Sequence, residues 1–444
     1  MIVVNKPNIL FLADTTHHTK AVSDHIAAII THESIHWHVV NPLVCKTIDK
    51  FDFSGFDAIG LHYSVKPYNH YYLSRTLQRK IAEFQGTKFL FLQDEYQKVN
   101  QVQHFLYELG FDVLFTLVNR QYMDQAYSDP RIAQLKKISV LTGYVPDDMK
   151  SIVSPPIKNR QIDVSYRGRP CEYWLGKLAH DKQLIANQFL RHASGAQFKL
   201  NISLEESDRV YGDSWLQLLM NSRAVLGTES GASIWDVDES IQKKTKQFLK
   251  KNKNADFDTV FEAVLKPYDG NLLYSAISPR VFEAAATKTP MIMFPGYYSG
   301  ICQADKHYIV LEKDFSNIKD VLEKLRDTDY LQTLADRVHI DLIESDLYSQ
   351  HTFATLVSDE LLSQINTHAK KKNTTTFSFQ LEDELKKHKY LNQFRCLYTE
   401  SFFIISNFFK LLCDPRYTFF SKIETLIEGM RRYTAYLLPR LQKR

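Results

Sequence analysis

Three stretches in the second half of the chain combine residue types that suit a phosphate-bearing ligand. The first is Ser278-Pro279-Arg280-Val281-Phe282-Glu283. A serine followed by a proline predicts a helix start, because the hydroxyl can cap the first free N–H groups and proline has no N–H to leave unpaired. Such a start carries exposed N–H groups and the positive end of the helix dipole, both of which attract an anion. Arg280 in the first turn is electrostatically disfavoured there, and a diphosphate would remove the conflict. Glu283 follows three residues later on the same face, where its carboxylate can accept hydrogen bonds from ribose hydroxyls. An intrahelical Arg280–Glu283 pair is the alternative that needs no ligand.

The second stretch is Gly227-Thr228-Glu229-Ser230-Gly231-Ala232-Ser233, followed at a short distance by Asp236. It comes directly after the apolar run Ala224-Val225-Leu226 and reads as a loop at a strand end. Gly227 and Gly231 let the backbone approach a ligand closely, Ser230 and the N–H groups suit phosphate or sugar, and Glu229 and Asp236 suit hydroxyls. A turn closed by its own Ser and Asx hydrogen bonds is the alternative. The stretch lacks the Gly-Lys-Ser/Thr ending of a phosphate-binding loop. In the third stretch, Ser165-Tyr166-Arg167-Gly168-Arg169, both arginines are candidates to neutralise a leaving diphosphate, with a plain surface arginine as the alternative. Phe294-Pro295-Gly296-Tyr297-Tyr298-Ser299-Gly300 is a further hydroxyl-rich loop after a strand.

The first half offers proton-transfer groups instead. Asp14, His17 and His18 follow one apolar run, His62 and Tyr63 another, and Asp94 and Glu95 a third. An acceptor hydroxyl that attacks by inversion needs a general base, and Asp14, His17, His18, His62, Asp94 and Glu95 are the candidates. Loop carboxylates and histidines that are merely solvated are the alternative. The five cysteines (Cys45, Cys171, Cys302, Cys396 and Cys413) are scattered, without zinc-like spacing, and read as free thiols.

These residues need a scaffold that gathers strand ends. Short apolar runs at residues 8–13, 37–40, 56–63, 88–92, 113–116 and 137–141 alternate with helical stretches, and the alternation restarts at 164–168. The pattern predicts an α/β chain with two Rossmann-like, doubly wound parallel-sheet domains facing a central cleft. The expected divisions are residues 1–160 on the acceptor side, 161–345 on the donor side, and 346–444 as linker and helical, basic extension. A single large sheet is the alternative. Ligands in such folds collect outside the carboxyl ends of the strands.

The charge is uneven. Residues 386–444 carry twelve Lys and Arg against four Asp and Glu, so this tail is +8 and the rest of the +4 chain is −4. The aromatic run at 401–412 is too short to span a bilayer, and packing on the body or lying on an anionic membrane surface are its two readings. The acidic body and the lack of any reader motif argue against nucleic acid. The start of the chain lacks a secretory-type apolar segment, which favours a cytoplasmic location.

Taken together, Tyr166-Arg167-Gly168-Arg169, Trp174-Leu175-Gly176, Leu226 to Ser233, Ser278 to Ala284, Phe294 to Gly300 and Gln93 to Tyr96 resemble glycosyltransferases of the two-domain B-type (GT-B) fold, in particular family-1-like transferases with a CgeB-type C-terminal domain found among bacterial surface-polysaccharide enzymes. The resemblance covers residues 8–345. It implies a nucleoside-diphosphate-sugar donor in the second domain, a glycan, lipid-linked or protein acceptor in the first, and no metal or other cofactor. Glu283 takes the place of the later glutamate of the paired-glutamate motif that holds the donor ribose, and Arg280 that of a phosphate contact. The earlier glutamate is replaced by Ser275, which leaves the stereochemical outcome open. A nucleotide-sugar epimerase on a similar fold and a noncatalytic nucleotide-sugar-binding or scaffold protein are the competing functions.

Overall fold

The computed structural model describes residues 6–16, 20–43, 45–69 and 72–368. The basic tail at 386–444 and the 371–376 linker lie outside the described residues, as do His17 and His18.

Strand β1 (Asn8–Leu12) is buried along its whole length, as expected of a strand covered on both faces. Helix α1 (Lys20–Ile30) leads to β2 (His36–Val40), then β3 (Ala58–Leu61), α2 (Arg75–Glu83), β4 (Thr87–Phe91), α3 (Val99–Glu108), β5 (Val113–Thr116) and β6 (Lys136–Ser139). The six strands form one parallel sheet in the order β2-β1-β3-β4-β5-β6. Gly60 in β3 is dictated by packing, since a Cβ there would lie 2.0 Å from the Phe89 ring of β4. The order reverses between β1 and β3, so the crevice of this domain opens beyond Leu12 and Leu61.

The second domain begins with β7 (Ile162–Arg167) and α4 (Lys177–Ala193), followed by β8 (Leu200–Ser203), α5 (Asp213–Met220), β9 (Ser222–Gly227) and a short strand β10 (Ser230–Ala232). Then come α6 (Ser240–Lys251), β11 (Tyr274–Ala276), α7 (Pro279–Ala286), β12 (Met291–Met293), β13 (Ile309–Val310), α8 (Ile318–Arg326) and α9 (Thr328–His339). Its parallel sheet has the order β13-β12-β9-β7-β8 and reverses between β7 and β9. The charged insert near residue 240 contains α6 and belongs to a small separate core with Trp174, Ile234, Ile241, Phe257 and Val260.

The two-domain α/β architecture expected from the alternation is the one observed. The last described helix, α10 (Gln350–His368), differs from a simple extension. It crosses back to the first domain, where Phe353, Val357 and Leu361 join the core and Phe353 stacks on Tyr144 at 4.1 Å. Directly between the domains, Asn119 Nδ2 donates to Ser275 Oγ at 3.2 Å, Gln125 Nε2 to the Asn271 carbonyl at 2.7 Å, and Lys98 pairs with Glu239 at 2.7 Å. Among the described residues no helix is long and apolar enough to cross a membrane.

Candidate donor and acceptor site

The start of α7 forms as its sequence predicts. Ser278 caps it, its Oγ accepting from Arg280 N at 3.4 Å, with Pro279 in the first position. The alternative, an intrahelical Arg280–Glu283 ion pair, does not form among the described residues. Glu283 instead accepts a 2.6 Å hydrogen bond on Oε2 from the Trp215 indole N–H of α5, and Oε1 has no partner among the described residues. Burial raises the Glu283 carboxyl above the usual range, while Trp215 and Arg280 oppose that shift. Arg280 lies exposed with its guanidinium 4.9 Å from the Trp215 ring, and one of its amino groups donates to the main-chain carbonyl of Arg167.

The two arginines after β7 separate in role. Arg167 turns back into the fold, its guanidinium donating to the carbonyls of Asp208, Tyr166 and Asn201 and to Asn201 Oδ1, all at 2.8–2.9 Å. The expectation that its side chain faces the crevice is therefore corrected, because those bonds occupy four of its five donors. Arg169 is exposed and has no ion pair among the described residues. Beside it stands Lys182 of α4, which sequence reasoning missed. Lys182 is half-buried, has no hydrogen bond or ion pair among the described residues, and has Arg280, Arg169 and Asp94 as electrostatic neighbours. Burial lowers its ammonium below the ordinary lysine value. Nothing in the sequence of α4 separates Lys182 from Lys177 or Asp181; only the approach of the β7 loop and α7 does.

The Gly227-to-Ser233 stretch is less open than expected. Ser230, Gly231 and Ala232 form β10, paired antiparallel with β11 in the register Gly231↔Ser275. Gly231 has φ +136°, and a Cβ there would lie 1.8 Å from the Tyr274 carbonyl, so its glycine is explained by that close strand approach. Gly227 lies against Met293. Ser233 and Asp269 take up the first N–H groups of α4, at 3.2 Å to Leu178 and 3.0 Å to Lys177. Asp236 caps α6 through Ile241 and Gln242. Glu229 is buried and accepts from Tyr298 N at 2.8 Å, anchoring a turn in which Tyr298, Ser299 and Gly300 have φ of +46°, +56° and +75°. These contacts give Ser230, Gly231, Glu229 and Asp236 structural work within the domain.

In the first domain the candidates also diverge. His62 is 0% exposed. Its Nδ1 accepts from Ser64 N at 3.1 Å, so Nε2 carries the proton and donates to His25 Nδ1 at 3.0 Å. Burial holds His25 down to about 3, and the two rings pack together in the core at 5.1 Å. A side chain so enclosed cannot reach an acceptor, which corrects the expectation for His62. Asp14 is buried as well, its Oδ1 accepting from Thr16 and from Asn41 Nδ2 at 3.0 Å. Glu95 accepts from Thr116 Oγ1 at 2.6 Å and Leu117 N at 2.7 Å, and burial pushes its carboxyl up to about 7. Asp94 alone of these carboxylates is exposed. It accepts from the Tyr96 hydroxyl at 2.9 Å and lines a pocket with Tyr63, Lys66, Tyr68 and Gln97.

Two sets of groups therefore meet across the crevice. One has three cations without an ion pair among the described residues (Arg169, Lys182 and Arg280) and a Glu283 oxygen without a hydrogen-bond partner among them; the other has Asp94 in an aromatic-lined pocket. Lys20 and Asp24 of α1 act electrostatically on Glu283 from the first domain. The arrangement can hold a polyanion beside a polyhydroxylated ligand. Among the described residues no group of three or more His, Cys, Asp or Glu is placed to hold a metal ion.

No family model and no curated protein matches the chain. Among solved structures, it is similar to an alpha-glucosyltransferase (AGT) in complex with UDP at 10% identity and TM-score 0.46, covering 80% of this chain and 99% of that one. It is similar to Anabaena Alr3699/HepE in complex with UDP at 12% identity and TM-score 0.45, covering 80% and 100%. Similarity to TarM is 12% with TM-score 0.38, covering 73% of this chain and 57% of that one, so the chain spans little more than half of TarM's length. At such identities and TM-scores these proteins assign this chain neither ligand nor activity.

Proposed function

We propose that this protein is a GT-B-type glycosyltransferase that moves a sugar from a nucleoside-diphosphate-sugar to an acceptor hydroxyl held on the first domain. The observation that carries the reading is the convergence of Arg169, Lys182 and Arg280, all without ion pairs among the described residues, at the capped start of α7 beside Glu283. Of the three, Lys182 is half-buried, and a charge left uncompensated in such a place is destabilising unless a ligand completes it.

In the proposed reaction Glu283 Oε1 accepts from the donor ribose. The three cations hold the diphosphate and stabilise the negative charge that grows on it as its bond to the anomeric carbon breaks. The acceptor oxygen forms the new bond to that carbon and its proton passes to Asp94, the exposed carboxylate of the facing pocket. Two domains around one crevice exclude water that would otherwise consume the donor. The proposed acceptor is a glycan, lipid-linked or protein hydroxyl, the positive charge that a metal can supply elsewhere comes from side chains, and the proposed compartment is the cytoplasm, in keeping with the free thiols Cys171 and Cys302. The CgeB-type resemblance and the membrane role of the tail are part of the same proposal.

The test is equilibrium binding of UDP, GDP, ADP, CDP and dTDP to the purified full chain, followed by transfer assays with the sugar conjugates of whichever binds. One binder, lost in Glu283→Ala, supports the reading. No binding across the panel overturns it in favour of a scaffold, and release of an epimerised donor without any acceptor favours the epimerase.

A further inference from the structure

We propose that Trp215 is the positioning residue of the donor site, its indole N–H fixing the Glu283 carboxylate while its ring seats the Arg280 guanidinium. The inference rests on the donor-site reading and adds the device that sets ribose and phosphate contacts together.

Trp215 belongs to α5, which supplies no other group to the site, and it is only 6% exposed. Its N–H lies 2.6 Å from Glu283 Oε2, and its ring centre 4.9 Å from the Arg280 guanidinium. Glu283 and Arg280 are three residues apart on α7, so a single indole from another helix spans the pair. A carboxylate at the end of a flexible side chain has a broad terminal torsion. A charge-assisted bond to one oxygen removes that freedom and leaves the other oxygen presented to the crevice. The ring holds the arginine by cation–π attraction without using its donors, so those not spent on the Arg167 carbonyl stay available to phosphate. The groups facing Glu283 are Arg280 on its own helix, Trp215 on α5, and Lys20 and Asp24 on α1. Among them Trp215 supplies the one direct hydrogen bond to the carboxylate among the described residues. Its loss leaves Oε2 buried without a donor and moves the Glu283 carboxyl further up.

The experiment measures affinity for the nucleoside diphosphate that binds best, and for its 2′-deoxy form, from pH 5.5 to 8.5 on the full chain. Wild type, Trp215→Phe and Glu283→Gln are compared. Trp215→Phe keeps an aromatic ring under Arg280 and removes the N–H. Expected are a loss of about tenfold in affinity, the scale of one charge-assisted hydrogen bond, a smaller preference for ribose over 2′-deoxyribose, and an acid limb of binding that moves to higher pH. Glu283→Gln leaves only the acid limb of the diphosphate's own terminal phosphate, which titrates at about 6. A Trp215→Phe protein with wild-type affinity, ribose preference and acid limb overturns the proposal. A second measurement needs no folded Trp215 variant: the indole N–H resonance of Trp215, assigned by elimination through Trp37→Phe, Trp174→Phe and Trp235→Phe, should titrate with the acid limb of wild type, and a pH-independent resonance counts against the proposal. Failure of wild type to bind any diphosphate overturns the donor-site reading instead.

Discussion

Replacing Lys182 with methionine should make the free protein more stable and the site less able to bind. In the free protein the ammonium is desolvated, has no hydrogen bond or ion pair among the described residues, and has Arg280 and Arg169 as like-charged neighbours, against Asp94 across the crevice. Methionine keeps the length and apolar stem while removing the charge. Substituting apolar groups for poorly compensated buried charge stabilises by about 1–4 kcal/mol. Lys182 is only half-buried, so the low end, about 1 kcal/mol, is expected, or about 2–4 °C in a domain of this size. The sign with pH follows from the depressed ammonium. Between its folded value and the ordinary 10.5 the unfolded chain binds more protons, so wild-type stability rises with pH through that window and the variant lacks the rise. Binding moves the other way. One charge-assisted hydrogen bond to phosphate is worth about 1.5–3 kcal/mol, so diphosphate affinity should fall roughly 10- to 150-fold. Thermal unfolding without ligand and calorimetric titration with the diphosphate read both quantities on one preparation. A Lys182→Met protein that melts lower and binds equally well would refute the reasoning, since Lys182 would then serve packing through its stem.

Three further outcomes follow from the same contacts. Glu95 has its carboxyl raised to about 7 from 4.5, so the folded state binds the extra proton and wild-type stability falls as pH rises through that interval, by up to roughly 3 kcal/mol. Glu95→Gln keeps an acceptor for Leu117 N and should gain melting temperature over wild type at pH 8 but not at pH 5; an equal difference at both would contradict the buried-carboxylate account. Cys171 is half-buried beside Arg169, whereas Cys45 and Cys302 are buried and the Cys302 thiol is pushed up to about 12. With Cys396 and Cys413 replaced by serine, maleimide should label Cys171, and nucleotide at ten times its dissociation constant should slow labelling about tenfold; an unchanged rate would place the ligand elsewhere. Asp94→Asn should cut transfer by about 10²–10⁴ while leaving donor affinity within about twofold, and full turnover in that variant would remove Asp94 as the base.

What the sequence makes legible is what is local. The strands could be read because a parallel sheet covered on both faces demands continuous apolar runs, as in Asn8–Leu12. The start of α7 could be read because Ser278 and Pro279 act within one turn. Functional assignments that depended on who else arrives could not be separated. Arg167 and Arg169 are two residues apart with the same chemistry; the carbonyls of Asp208 and Asn201 capture the first, and no side-chain partner among the described residues captures the second. Gly231 signals close backbone approach correctly, but the partner is the β11 strand and not a ligand. His62 follows a strand in sequence like any loop histidine, yet β3 ends with that ring enclosed against His25. Lys182 inverts the case: it sits mid-helix among ordinary charges and carries no motif, and what distinguishes it is that no counter-ion among the described residues pairs with it. Folding tends to satisfy polar groups, so those bearing sequence signatures for binding are often consumed by the fold itself. The groups left without an ion pair among the described residues mark the ligand better, and here they are the half-buried Lys182, the exposed Arg169 and Arg280, and one oxygen of Glu283, beside the start of α7.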